Sequence, residues 1–138
     1  MKRLLIFLLL FLFSCLGGGN NPTAPNPNKP VLNSLVFEPS TVSMGSIRFL
    51  KVEFTFTDMN GDLGGGFINY NYEGKIVSVN LPLDFTGLIN GKGYAGLNVI
   101  ISNTKGSIPV LIWLTDLAGN NSDKLTVFIT QVWHWFLE

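Results

Sequence analysis

The sequence predicts an all-β protein, a single antiparallel β-sandwich of about seven strands that follows a signal peptide and a tether. From residue 31 onward, apolar residues recur at every second position, which is the periodicity of strands with one buried face. Turn sequences rich in glycine, asparagine and proline separate these stretches at short intervals. The 138 residues provide for one domain of ordinary size, and 46% apolar residues suffice for a core.

The clearest strand is 46–57, where large apolar side chains such as Leu50, Phe54 and Phe56 alternate with polar ones. Proline ends the first and fourth predicted strands, since it has no N–H to give to a β-ladder. An Asn-Gly-Lys-Gly turn is predicted at 90–93, before the fifth strand. The predicted strands are 31–38, 46–57, 67–72, 75–81, 94–102, 108–115 and 124–132.

The last two strands suggest a register. Antiparallel pairing of Leu114 with Leu125, Ile112 with Val127 and Val110 with Ile129 places aliphatic pairs on one face, and a one-residue slip would mix the two faces.

The same register turns three large residues, Leu111, Trp113 and Phe128, toward the other face of the sheet. They form a candidate partner patch for a protein or a glycan. The alternative is that a loop or the aromatic C-terminal tail, 133–137, covers them.

The N-terminus has the pattern of an export signal over residues 1–14. Lys2 and Arg3 precede an unbroken apolar run, 4–13, which is too short to span a bilayer as a helix. The run ends in Leu12-Phe13-Ser14-Cys15, which resembles the lipobox of bacterial lipoproteins. That resemblance implies that Cys15 becomes the lipidated first residue of the mature chain, whereas ordinary signal cleavage would leave it unmodified.

Residues 15–30 read as a tether. Glycine and asparagine make its first part flexible, and repeated proline extends its second part. In the lipoprotein family an Asp directly after the lipidated Cys retains a protein in the inner membrane of Gram-negative cells. Leu16 stands there, so the resemblance implies a lipid-anchored envelope protein, with the outer membrane favoured if the cell is Gram-negative.

The loop after the second predicted strand places oxygen-bearing side chains at alternate positions: Asp58, Asn60 and Asp62. Ca²⁺ takes six to eight oxygen ligands, often from such spacing. The start resembles an EF-hand loop, but Gly61 comes too early and Asn69 replaces the bidentate Glu, so a full EF-hand is rejected. The alternative is turn chemistry, in which Asp and Asn bond their own backbone.

Two stretches resemble known domain motifs. Residues 54–64 resemble the strand and loop of immunoglobulin-like domains in bacterial surface lipoproteins, and 114–120 resemble the last-hairpin motif of bacterial Ig-like and PKD-like domains. The resemblance implies an Ig-like sandwich domain over 31–138, in which these two loops lie at the same end. Asp116 and Asn120 would then complete a calcium shell with Asp58, Asn60 and Asp62.

The composition argues against several functions. The charges are balanced, nine basic against nine acidic, so no basic surface is available for nucleic acid. His134 is the only histidine, and no nucleophile–base pair or zinc ligand set accompanies it. We therefore expect a non-catalytic, membrane-anchored surface lipoprotein that displays a binding or adhesion module. The alternative is a structural accessory lipoprotein of an envelope assembly.

Overall fold

The computed structural model describes residues 27–43, 45, 47–100 and 106–132. The predicted signal peptide, Cys15, most of the tether and the tail after Val132 lie outside the described residues. Among the described residues, no helix is long and apolar enough to cross a membrane.

The described chain folds as two sheets packed face to face, antiparallel except where the short β2 pairs with β8, which confirms the predicted all-β sandwich. One sheet has three strands in the order β1-β3-β6, and the other has five in the order β2-β8-β7-β4-β5. In chain order the elements are β1 (Val31–Glu38), β2 (Thr41–Ser43), β3 (Ile47–Thr57), β4 (Phe67–Tyr72), β5 (Lys75–Asn80), a 3₁₀ turn (Leu83–Phe85), β6 (Asn90–Ile100), β7 (Gly106–Thr115) and β8 (Leu125–Val132).

The core follows from the alternation along the strands. In β3 the inward side chains, among them Leu50, Phe54 and Phe56, are fully or almost fully buried. The Phe85 ring closes one end of the core, edge-on to Phe54 with ring centroids 6.3 Å apart. Gly93 of β6 lies beneath the Phe54 ring, and a Cβ at Gly93 would come within 2.3 Å of Phe54 Cζ. The missing side chain at Gly93 is therefore what lets the Phe54 ring pack against the neighbouring strand.

Two local expectations were wrong. The predicted turn at 90–93 is instead the start of β6, in which Asn90 pairs with Thr57 and Lys92 pairs with Thr55. The long β3 offers these residues partners, and the glycines there make room for core rings. The strand β2 was not predicted, because three residues are too few to show an alternation of apolar and polar side chains. It pairs in parallel with the end of β8.

The predicted register of the last two strands was wrong by two residues. Ile112 lies opposite Leu125, and Val110 lies opposite Val127. The Ser122 side chain explains the slip, because its Oγ accepts the N–H of Leu114 at 2.8 Å and so occupies the place expected for Leu125. A slip of two preserves the faces, so the predicted inner face still faces the core.

The strand directions define the two ends of the sandwich. The loops after β3, β5 and β7 (58–66, 81–89 and 116–124) share one end, here called the loop end. Val31, the first residue of β1, pairs with Thr57 at that end. Val132 pairs with Ser43 at the opposite end. The segment before β1 therefore meets the sandwich at the loop end, and β8 finishes at the other.

Candidate functional site

Three loops are bonded to one another at the loop end. The N–H of Leu117 donates to the Asp62 carbonyl at 3.0 Å, and the N–H of Asp58 donates to the Ile89 carbonyl at 2.7 Å. The N–H of Gly87 donates to the Gly61 carbonyl at 2.6 Å. The loop after β3 and the last hairpin loop thus meet, as expected. The third loop, 81–89, was not foreseen as part of the site, although Gly87 and the preceding Pro82 signalled its turns.

Asp58 is the central residue of this end. It continues the inward-facing alternation of β3 past Phe56, so its carboxylate points into the sandwich rather than into water. The residue is fully buried, and neither carboxylate oxygen has a hydrogen-bond partner among the described residues. A buried, ionised and unpaired carboxylate is costly, because no donor or cation replaces the water it has lost.

Asp62 shares this environment. Its Oδ1 is buried and accepts no hydrogen bond from a donor group in the described part of the chain, and the Asp62 carboxyl interacts instead with that of Asp58. Burial raises the pKa of the Asp62 carboxyl, and the negative charges of Asp116 and Asp58 raise it further. The two ion pairs found among the described residues involve other carboxylates, those of Asp123 and Glu53. In the described part of the chain, these two ion pairs leave Asp58, Asp62 and Asp116 without a basic partner.

Asp116 and Asn120 are hydrogen-bonded to each other. Asp116 Oδ1 accepts the backbone N–H of Asn120 at 2.7 Å, and Oδ2 accepts Nδ2 of Asn120 at 2.9 Å. This is the turn chemistry named as the alternative to metal binding. Asn60 is exposed and donates from Nδ2 to the carbonyl of Asn28 at 3.4 Å. Of the five predicted calcium ligands, only Asp58 and Asp62 therefore keep buried oxygens without partners.

Few side chains are available as metal ligands at the loop end. Within the described ranges, no three His, Cys, Asp or Glu side chains are grouped so as to hold a metal ion. A cation beside Asp58 and Asp62 would take its other ligands from backbone carbonyls and water, both of which Ca²⁺ accepts.

The glycines of the loop after β3 permit its tight path. A Cβ at Gly64 would come within 2.2 Å of Thr86 Oγ1, and one at Gly66 would come within 2.2 Å of the Thr115 carbonyl oxygen. The Gly64-Gly65-Gly66 run therefore brings this loop against both neighbouring loops. It contributes to the shape of the site rather than to its ligands.

The candidate partner patch is only partly open. Trp113 faces the outer side of the five-stranded sheet, but it is 9% exposed, and Lys124 Nζ lies 4.6 Å from the ring centroid. Phe128 is 59% exposed and lies opposite Pro109. Leu111 is half-buried. A contact at this patch would rest on Phe128 more than on Trp113, because Trp113 is already covered.

The fold is similar to that of a known domain. No family model matches the sequence, and no curated protein matches it. Among solved structures, the PKD domain of an M14-like peptidase from Thermoplasmatales archaeon SCGC AB-540-F20 is similar, with a TM-score of 0.51 and 19% sequence identity. The match covers 75% of this chain and 97% of that one. At this identity the similarity concerns the fold alone: the described chain is a β-sandwich similar to a PKD, immunoglobulin-like domain.

Proposed function

We propose that this chain is a membrane-anchored surface lipoprotein whose Ig-like sandwich acts as a binding or adhesion module for a protein or a glycan. The observation that supports the anchor is Cys15, the only cysteine, placed directly after the apolar run and Leu12-Phe13-Ser14. The lipid attaches the chain to the outer face of a membrane, and the tether, 15–30, links the sandwich to that surface.

The module is proposed to be non-catalytic. The similar solved structure is a PKD domain of a peptidase, and one fold can serve unrelated functions. The titratable cluster at the loop end consists of carboxylates, and the described residues contain no histidine or cysteine to pair with them.

Two measurements test this proposal. Mass spectrometry of the mature N-terminus should find a lipid-modified Cys15, and an unmodified Cys15 or a different start would contradict the anchor. Protease added to intact cells should cleave a surface-displayed domain. Protection from protease, together with stable co-purification with an envelope complex, would favour the alternative of a structural accessory lipoprotein.

A second function is favoured by the buried carboxylates. We propose that Asp58 and Asp62 bind one calcium ion at the loop end. The supporting observation is that three buried carboxylate oxygens, both of Asp58 and Oδ1 of Asp62, lack partners. A divalent cation would supply the positive charge that neither ion pair of the described residues brings to these carboxylates. The competing account is a proton held between the two carboxylates, which a calcium titration distinguishes from metal binding.

A further inference from the structure

The loop end carries large apolar side chains in water. Leu83 is 75% exposed and Leu117 is 69% exposed, although they belong to different loops. Their side chains approach the same glycine: a Cβ at Gly65 would lie 3.2 Å from Leu83 Cδ2 and 3.8 Å from Leu117 Cδ1. Met59, in the loop after β3, and Ile89, at the end of the loop that contains Leu83, are also exposed. These four residues are called the apolar tip.

The apolar tip does not support the fold. Leu83 lies in a 3₁₀ turn with no buried residue, and Phe85 of that turn already provides the packing against the core. Leu117 lies in the turn that Asp116 closes, where a polar side chain would serve equally well. Grouped apolar side chains that protrude from loops usually mark an interaction site.

The tether joins the sandwich at this same end. The Asn28 carbonyl accepts Nδ2 of Asn60, which lies next to Met59 in the loop after β3. Lys29 forms an ion pair with Asp123 of the last hairpin loop. The chain that leads back toward Cys15 therefore leaves the sandwich beside the apolar tip.

The tether is short enough to keep the tip near any membrane that holds Cys15. A flexible chain of the length of 15–27 has a root-mean-square span of about 20 Å, and a fully extended one reaches only about 45 Å. A tethered contact forms at a high effective concentration, so that even a weak apolar contact is populated. A lipid anchor combined with a second membrane contact binds more stably than either one alone.

We propose that the apolar tip rests on the phospholipid bilayer that carries the lipid of Cys15. The inference rests on the proposed lipid anchor and adds an orientation to it. The loop end faces the membrane, with Leu83 and Leu117 in the interfacial region, and the opposite end of the sandwich faces away.

Charge sets a condition on this contact. Asp58, Asp62, Asp84 and Asp116 lie at the loop end, and anionic headgroups repel them. A calcium ion at Asp58 and Asp62 would reduce this repulsion. The contact with anionic vesicles should therefore strengthen when calcium is added.

The test uses the lipidated chain in vesicles of phosphatidylcholine and phosphatidylglycerol. The variant Leu117→Cys carries an environment-sensitive fluorophore, and the matched control is Ile76→Cys, a similarly exposed position beside the turn at the opposite end. We expect higher and blue-shifted emission, with quenching by lipid-borne quenchers, at position 117 only. Equal quenching of both labels by aqueous iodide would overturn the proposal.

Two further measurements separate the possible failures. Flotation of the chain with vesicles reports the anchor, so a chain that does not float contradicts the lipoprotein function and the tip contact together. A chain that floats while its label at 117 stays in water overturns the tip contact alone. Thermal melting checks that the labelled variants fold, and Met59→Cys supplies a second label position within the tip.

Discussion

The backbone N–H of Leu117 lies 3.0 Å from the carbonyl oxygen of Asp62, and this hydrogen bond joins the last hairpin loop directly to the loop after β3. Asp62 thereby has its backbone fixed on one side while its buried carboxylate oxygen lacks a partner. Backbone hydrogen bonds therefore hold the loops of this end together, while the buried carboxylate oxygens of Asp58 and Asp62 have no hydrogen-bond donor.

Calcium should stabilise the domain. We expect millimolar calcium to raise the melting temperature of the chain from residue 16 onward, by mass action on the folded state. The rise should disappear in Asp58→Ala and Asp62→Ala, and it should persist in the control Asp84→Asn, because Asp84 is exposed at the same end. If calcium does not change the melting temperature of the wild-type chain, the proposed calcium site is wrong and the Asp58 loop is a turn that binds no metal.

Removing one of the two charges should stabilise the calcium-free domain. We expect Asp58→Asn to raise the free energy of unfolding at neutral pH, by roughly 1–3 kcal/mol, since it removes a buried charge with no partner. Chemical denaturation with a chelator present measures this. A loss of stability in Asp58→Asn would mean that the Asp58 carboxylate has hydrogen-bond donors in solution, which contradicts the description of it as buried without a donor.

The core should depend on Phe54. Phe54→Ala is expected to cost roughly 3–5 kcal/mol, as truncation of a buried aromatic side chain does. Phe128→Ala makes the same chemical change at a side chain that is 59% exposed, and it should cost far less. Urea denaturation of the two variants gives the comparison. Similar losses at both positions would contradict the assignment of faces.

Alanine substitutions at two glycines of β6, Gly93 and Gly96, should differ in their effect on stability. In Gly93→Ala the new methyl group would meet the buried rings of Phe54 and Phe85, so a loss of about 1–3 kcal/mol is expected from overpacking. In Gly96→Ala it would meet Phe49, an exposed side chain that can turn away. The expected order of stability is wild type and Gly96→Ala above Gly93→Ala. The reverse order would show that Phe49 holds its place more rigidly than Phe54 does.

The anchor should be separable from the fold. Cys15→Ala is expected to move the protein from the membrane fraction to the soluble fraction, because the lipid acceptor is lost. Its melting temperature should match that of the lipidated protein, since β1 begins only at Val31. Continued membrane association in Cys15→Ala, measured by cell fractionation, would contradict the lipoprotein proposal.

Much of the fold was readable from the sequence because alternation reports directly on burial. The bounds of β1 and β4 and the inner face of β3 were predicted correctly, since each is a half-buried strand between turn residues. The register of β7 and β8 was not, because matching aliphatic pairs are equally good two residues apart. The Ser122 side chain, which settles the choice, carries no periodic signal.

The candidate site was predicted in part. Sequence spacing located Asp58 and Asp62, but it also favoured Asn60, which the fold directs toward Asn28. Alternation gave the better signal, because Asp58 directly follows β3 and takes its next inward position, whereas Asn60 lies further into the loop. The loop 81–89 closes the site through backbone atoms, which any sequence supplies, so its residue types indicated turns but not its contact with the Asp58 loop.

The positions of Val31 and Val132 determine how the sandwich would respond to mechanical load. The first meets the loop end, and the second lies at the opposite end. Tension between the chain before β1 and the chain after β8 runs along the strands. It would slide β1 against β3 and β8 against β7, with ladder hydrogen bonds perpendicular to the force. Those bonds share the load instead of opening one at a time, so the domain can transmit a pull without unzipping from either terminus.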